Sequence, residues 1–68
     1  MSVSVNGRPH RLSEGQTVAD LVLVTTGSAA PRGVAVAVNG TVVRRAEWPD
    51  TGLSDGDRVE VLTATQGG

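Results

Sequence analysis

Three features of the chain predict an α+β fold: a mixed sheet of four or five strands with one helix packed against it. Two valine-rich stretches are each interrupted by Asn-Gly, at residues 6–7 and 39–40, the strongest short-range hairpin signal. Between them, a capped segment beginning at Thr17 spaces its apolar residues as one face of a helix. A further alternating stretch, residues 58–63, reads as a final strand. A sheet with a valine-rich face needs a cover, and the Thr17 segment is the one available to supply it.

In order, Val3 and Val5 alternate with polar neighbours over residues 2–6, and Asn6-Gly7 turns the chain into a return strand over residues 8–12. Pro9 lacks a backbone N–H, so that strand belongs at a sheet edge or begins there. Ser13-Glu14-Gly15-Gln16 reads as a turn. Thr17-Val18-Ala19-Asp20 is a capping-box pattern, in which a hydroxyl and a carboxylate three residues on satisfy free backbone donors. Asp20 also suits the positive end of the helix dipole. Val18, Leu21, Val22 and Thr25 then repeat at helical spacing, Gly27 is the stop and Pro31 lies beyond it. Residues 21–26 are rich in β-branched side chains and would also pass as a strand; the caps at both ends decide for a helix.

Residues 28–33 form a connection. Val34-Ala35-Val36-Ala37-Val38 is the clearest strand, with valines on one face and alanines on the other. Small alanines imply a close neighbour or a shallow surface. Asn39-Gly40 returns the chain through Thr41-Val42-Val43. Residues 44–57 are irregular, with Ala46-Glu47-Trp48 suited to one helical turn before Pro49. Trp48, the single aromatic residue, is expected to plug one end of the core, with Leu53 buried beside it. Asp55-Gly56-Asp57 is a turn into the last strand, where two aspartates around a glycine are turn chemistry rather than a metal site. No Gly-Lys-Ser/Thr follows, so it is not a phosphate loop.

In the last strand Val59, Val61 and Thr63 alternate with Arg58, Glu60 and Leu62. Ala64-Thr65-Gln66-Gly67-Gly68 has nothing left to bury and reads as a mobile, exposed tail. Hairpin, helix, hairpin, irregular crossover and final strand make up a β-grasp order, with the first and last strands as parallel central neighbours. The expected organisation is a β-grasp domain over residues 1–63 and a flexible tail over residues 64–68.

The 68 residues suit one small domain of modest stability. There is no cysteine, hence no disulfide and no thiolate metal site. The start carries no charged-then-apolar leader and no apolar run reaches membrane-spanning length; a cytoplasmic protein with no membrane partner is the expectation. A net charge of −1 argues against nucleic acid as a partner. The catalytic inventory is thin: one histidine and no cysteine, lysine or tyrosine. His10, between Pro9 and Arg11, reads as a surface residue rather than a base. No bound cofactor is expected. All six basic residues are arginine, so no side-chain amine exists for self-conjugation. What remains chemically is the end of the chain. Gly67-Gly68 can enter a slot too narrow for any side chain, and it ends in a carboxylate. The reading is that the Gly68 carboxylate is the working group, Gly67 and Gln66 lead it in, and the domain presents it. Leu62, apolar but on the polar side of the last strand beside Arg58 and Glu60, is the candidate docking contact.

Residues 38–48 (Val-Asn-Gly-Thr-Val-Val-Arg-Arg-Ala-Glu-Trp), residues 53–61 (Leu-Ser-Asp-Gly-Asp-Arg-Val-Glu-Val) and Gly67-Gly68 together closely resemble the thiamine-biosynthesis sulfur-carrier (ThiS) family of ubiquitin-like proteins. Asn6-Gly7 and Gly15-Gln16-Thr17-Val18 also fit, so the resemblance covers nearly the whole chain. One departure is Arg44, where the family often has proline before the arginine matching Arg45. The resemblance implies a cycle. A ThiF-type adenylyltransferase consumes ATP to convert the Gly68 carboxylate to an acyl-adenylate. A sulfur donor fed by a cysteine desulfurase replaces AMP, leaving a thiocarboxylate. A ThiG-type thiazole synthase receives the sulfur. The chain would then be a carrier acted on by enzymes, not an enzyme. Alternatives are a sulfur carrier for another pathway, such as the small subunit of molybdopterin synthase, for which the chain is short and poor in aromatics. A different class is a protein modifier or a β-grasp binding module with an idle tail. Modified lysines on targets would favour the modifier, and function without Gly67-Gly68 the module.

Overall fold

The computed structural model describes residues 1–28 and 31–63. The elements are β1 (Ser2–Val5), β2 (Arg8–Arg11), α1 (Val18–Thr26), β3 (Val34–Val38), β4 (Thr41–Val43), a 3-10 helix (Arg45–Asp50) and β5 (Arg58–Thr63). The strands form a five-stranded sheet in the order β2-β1-β5-β3-β4. β1 and β5 run parallel at its centre, and every other neighbouring pair is antiparallel. This is the β-grasp arrangement the element order predicts.

Both Asn-Gly turns adopt the same conformation: φ is 51° at Asn6 and 84° at Gly7, and 51° at Asn39 and 85° at Gly40. A two-residue hairpin with positive φ at both positions matches the twist of its strands, and asparagine and glycine tolerate it best. The registers Val5↔Arg8 and Val38↔Thr41 follow from those loops. Pro9 stands opposite Ser4 on the edge strand β2.

The helix caps are as read. The Asp20 amide donates to Thr17 Oγ1 at 3.3 Å and the Thr17 amide donates to Asp20 Oδ2 at 2.9 Å. Gly27, at φ 82°, ends the helix with its N–H on the Leu23 carbonyl. Val18, Leu21 and Val22 are buried against the sheet. Thr25, expected on that same face, is exposed instead. The buried stripe ends a turn earlier, and the Thr25 hydroxyl is satisfied by the Leu21 carbonyl of its own helix at 2.9 Å.

Val3, Val36, Val59 and Val61 of the three central strands point into the core, with Leu12 and Leu53 closing around them. Trp48 is 2% exposed, the plug its isolation suggests. Its indole N–H, which burial would otherwise strand, donates to the Val43 carbonyl at 3.0 Å. The Arg45 guanidinium covers the ring 5.1 Å from its centroid and donates to the Pro31 carbonyl. The 3-10 helix runs through Pro49 to Asp50, longer than the single turn expected. Its bonds span three residues, as in Glu47 N–H to Arg44 at 2.8 Å, so the proline removes one local donor only. Arg44 holds φ −66° and ψ 145°, dihedrals a proline would also adopt, so the loop keeps its path.

Candidate functional site

Everything proposed to work in this chain hangs from β5, so its supports define the site. The turn before it uses both of its aspartates. Asp55 Oδ1 accepts the Ser2 N–H at 2.7 Å, and the Gly56 N–H donates to the Ser2 carbonyl at 2.7 Å. Asp57 Oδ2 accepts the Ser54 N–H at 2.8 Å, and its Oδ1 accepts from the Asn39 amide at 3.0 Å. These carboxylates tie the turn to β1 and to the β3–β4 hairpin. Among the described residues no three His, Cys, Asp or Glu side chains gather as metal ligands.

The two turn asparagines also hold β5, a role their turn propensity alone does not indicate. Asn39 donates its backbone N–H to the Arg58 carbonyl at 2.7 Å, and its side-chain Oδ1 accepts the Arg58 N–H at 2.8 Å. Asn6 donates its backbone N–H to the Val59 carbonyl at 2.9 Å. Its side chain then accepts the Val61 N–H at 2.8 Å and donates to the Val61 carbonyl at 3.0 Å. In each case the chain is turning away from β5, and the side-chain amide replaces the peptide group that a continuing strand would have supplied.

The outward face of the sheet follows from the register. Leu62 stands opposite Ala35, Glu60 opposite Ala37, and Ala37 opposite Val42. Leu62 is 65% exposed and Val42 70% exposed. Two bulky apolar residues thus flank a floor of two alanines, a shallow apolar saddle across β5, β3 and β4. The alanines of β3 mark the shallow surface rather than a close neighbour. Glu60 and Arg58 alternate with the inward valines and lie on the same face as Leu62. The Arg58 guanidinium reaches toward the β3–β4 turn, where a Cβ placed on Gly40 would stand 4.0 Å from it. The structure thus brings Leu62 and Glu60 together with Ala35 and Val42, and sets Arg58 at the rim. Val42 was missed because its exposure is decided by which strand lies beside β3. The alternation Thr41-Val42-Val43 is too short to assign a face.

His10 is half-buried on β2 opposite Val3. Gln66, Gly67 and Gly68 lie outside the described residues, as does the expected tail over residues 64–68. No helix among the described residues is long and apolar enough to cross a membrane.

The family model described as the ThiS family matches residues 3–68. No curated protein matches the chain. Two solved structures are similar over all of it. One is the crystal structure of a thiamine biosynthesis protein (ThiS) from Geobacter metallireducens, 36% identical, covered over 100% of its own length, with a TM-score of 0.78. The other is an NMR solution structure of a thiamine biosynthesis protein from the same organism, 33% identical, covered over 88%, with a TM-score of 0.75. A family match over nearly the whole sequence, with the same ubiquitin-like β-grasp fold at this identity, places the chain in the ThiS family.

Proposed function

We propose that this chain is a sulfur carrier of thiamine biosynthesis and that the Gly68 carboxylate is where the sulfur is carried. The observation that carries the reading is the junction of a ThiS-family domain with a Gly67-Gly68 end directly beyond β5, the central strand. A strand held on both sides gives a short segment leaving it a defined origin. Two residues without side chains can then pass into a narrow catalytic slot of a partner.

The chemistry needs no side chain of the carrier. A carboxylate is a poor electrophile. Attack of a Gly68 carboxylate oxygen on the α-phosphorus of ATP, in a ThiF-type adenylyltransferase, expels pyrophosphate and makes an acyl-adenylate. The terminal sulfur of a donor persulfide, supplied by a cysteine desulfurase, then attacks the acyl carbon and expels AMP, and a thiol cleaves the resulting acyl disulfide, leaving the thiocarboxylate and a disulfide on the thiol side. The resulting thiocarboxylate passes its sulfur to a ThiG-type thiazole synthase. The carrier is a co-substrate of these enzymes, and ATP is consumed by the partner. The apolar saddle of Leu62, Ala35 and Val42, with Glu60 beside it and Arg58 at its rim, is the docking face. Partners hold it while the tail is in use.

Intact mass after incubation with adenylyltransferase, ATP and a sulfur source tests this. The expected result is a gain equal to exchanging one oxygen for one sulfur, absent when Gly68 is deleted. Thiazole formation on adding the synthase and its substrates would establish the pathway. No mass change with partners proven active on another carrier would overturn the reading.

A further inference from the structure

We infer that Asn6 is a positioning residue for the working end of the chain: its side-chain amide holds the last part of β5, the described strand nearest in sequence to Gly68. This rests on the carrier reading above and adds to it a residue 55 positions in sequence from the strand it holds.

β1 and β5 pair as parallel strands only at Ser4↔Arg58 and Val5↔Val59. Beyond that the first hairpin turns away, while β5 continues to Thr63. On its other flank β5 stays paired with β3 as far as Val34↔Thr63. Without a substitute for β1, the Val61 peptide groups on the open flank would face water, and β5 would be held there from one side only. Asn6 supplies that substitute. Its Oδ1 takes the Val61 N–H at 2.8 Å and its Nδ2 gives to the Val61 carbonyl at 3.0 Å. Both a donor and an acceptor are required. Aspartate would keep the acceptor but set a carboxylate oxygen against the Val61 carbonyl, and glycine would keep the turn but hold nothing. The turn itself asks only for a residue at ease with φ 51°, which glycine satisfies better than asparagine. Asparagine at position 6 thus serves the turn and, through its side chain, the strand it holds.

Asn39 provides the internal control. It makes the equivalent side-chain bond to the Arg58 N–H, at the start of the same strand and on the opposite flank. The two asparagines have the same chemistry, but only Asn6 acts next to Leu62 and the residues beyond.

Asn6→Gly, Asn6→Asp and Asn39→Gly are compared with the wild type. The first readout is amide hydrogen exchange with no partner present. Asn6→Gly should speed exchange at Val61 roughly tenfold, the size of one or two modest hydrogen bonds, and leave Val36 and Leu21 unchanged. The second is ATP-dependent adenylation by a ThiF-type partner. Asn6→Gly should lower kcat at saturating carrier roughly tenfold, because the carboxylate reaches the slot less often even when the Leu62 face is docked. Asn6→Asp should fall between, and Asn39→Gly should lose stability with kcat at the wild-type value. Unchanged exchange at Val61 would overturn the inference at its structural step. Faster exchange with unchanged kcat, or an equal loss of kcat in Asn39→Gly, would overturn it at the functional step. Failure of the wild type itself to be adenylated by an active partner would instead sink the carrier reading, with the exchange result standing separately.

Discussion

Leu62 offers the most direct test of the docking face. It is 65% exposed, so a partner that covers the saddle removes about two-thirds of its side chain from water. Full burial of a leucine contributes about 1.5–3 kcal/mol, which makes this share about 1–2 kcal/mol. Leu62→Ala gives up most of it and should raise KM for adenylation roughly 5- to 30-fold. Leu62→Asp also places a carboxylate in the interface two positions from Glu60. Leaving an unpaired charge there should take the loss to about a hundredfold or more. The fold should not register either change, because an exposed position contributes within about 0.5 kcal/mol. The assay is partner-dependent ATP–pyrophosphate exchange measured against carrier concentration, with thermal melts of each variant alongside. A raised KM with an unchanged melt supports docking at Leu62, and kcat should hold at saturation. A wild-type KM in both variants refutes the docking role. A lowered melting temperature would instead mean that Leu62 packs in the domain more than its exposure indicates.

Trp48 is the largest buried side chain, and Trp48→Ala should cost about 3–5 kcal/mol. That is most of the stability available to a domain of this size, so amide NMR dispersion should collapse at room temperature. Retained dispersion would mean that the core closes around the loss. Thr17→Ala removes the hydroxyl that accepts the Asp20 N–H and should cost about 1 kcal/mol. The melting temperature should fall by roughly 4–8 °C, with adenylation at its ordinary rate, since α1 lies on the face opposite the saddle.

Local signals were legible because they depend on neighbours in sequence. The Asn-Gly pairs need positive φ, and they turn where they stand. The Thr17–Asp20 box spans three residues, and Gly27 ends the helix by its own conformation. Alternation in residues 34–38 and 58–63 assigns inward and outward faces without knowledge of any partner. Helical spacing sets a face at Thr25 but not how far along it the core extends, and the core ends before that residue. Local logic also stopped the 3-10 helix short, since proline limits an α-helix more than a series of three-residue bonds.

By itself the sequence determined the two hairpins, the capped helix, the inward valines, the lone tryptophan plug and the Gly67-Gly68 end. Together these point to a β-grasp carrier with a thin catalytic inventory. Only the tertiary structure decided which flank of β5 each asparagine holds, that Leu62 and Val42 share one saddle over Ala35 and Ala37, and that the Arg58 guanidinium reaches the β3–β4 turn at its rim. The physical reason is range. Dihedral preference, capping and period-2 alternation act over a few residues. A hydrogen bond from Asn6 to Val61 bridges 55 positions, and it exists only once β1 lies beside β5 in one register.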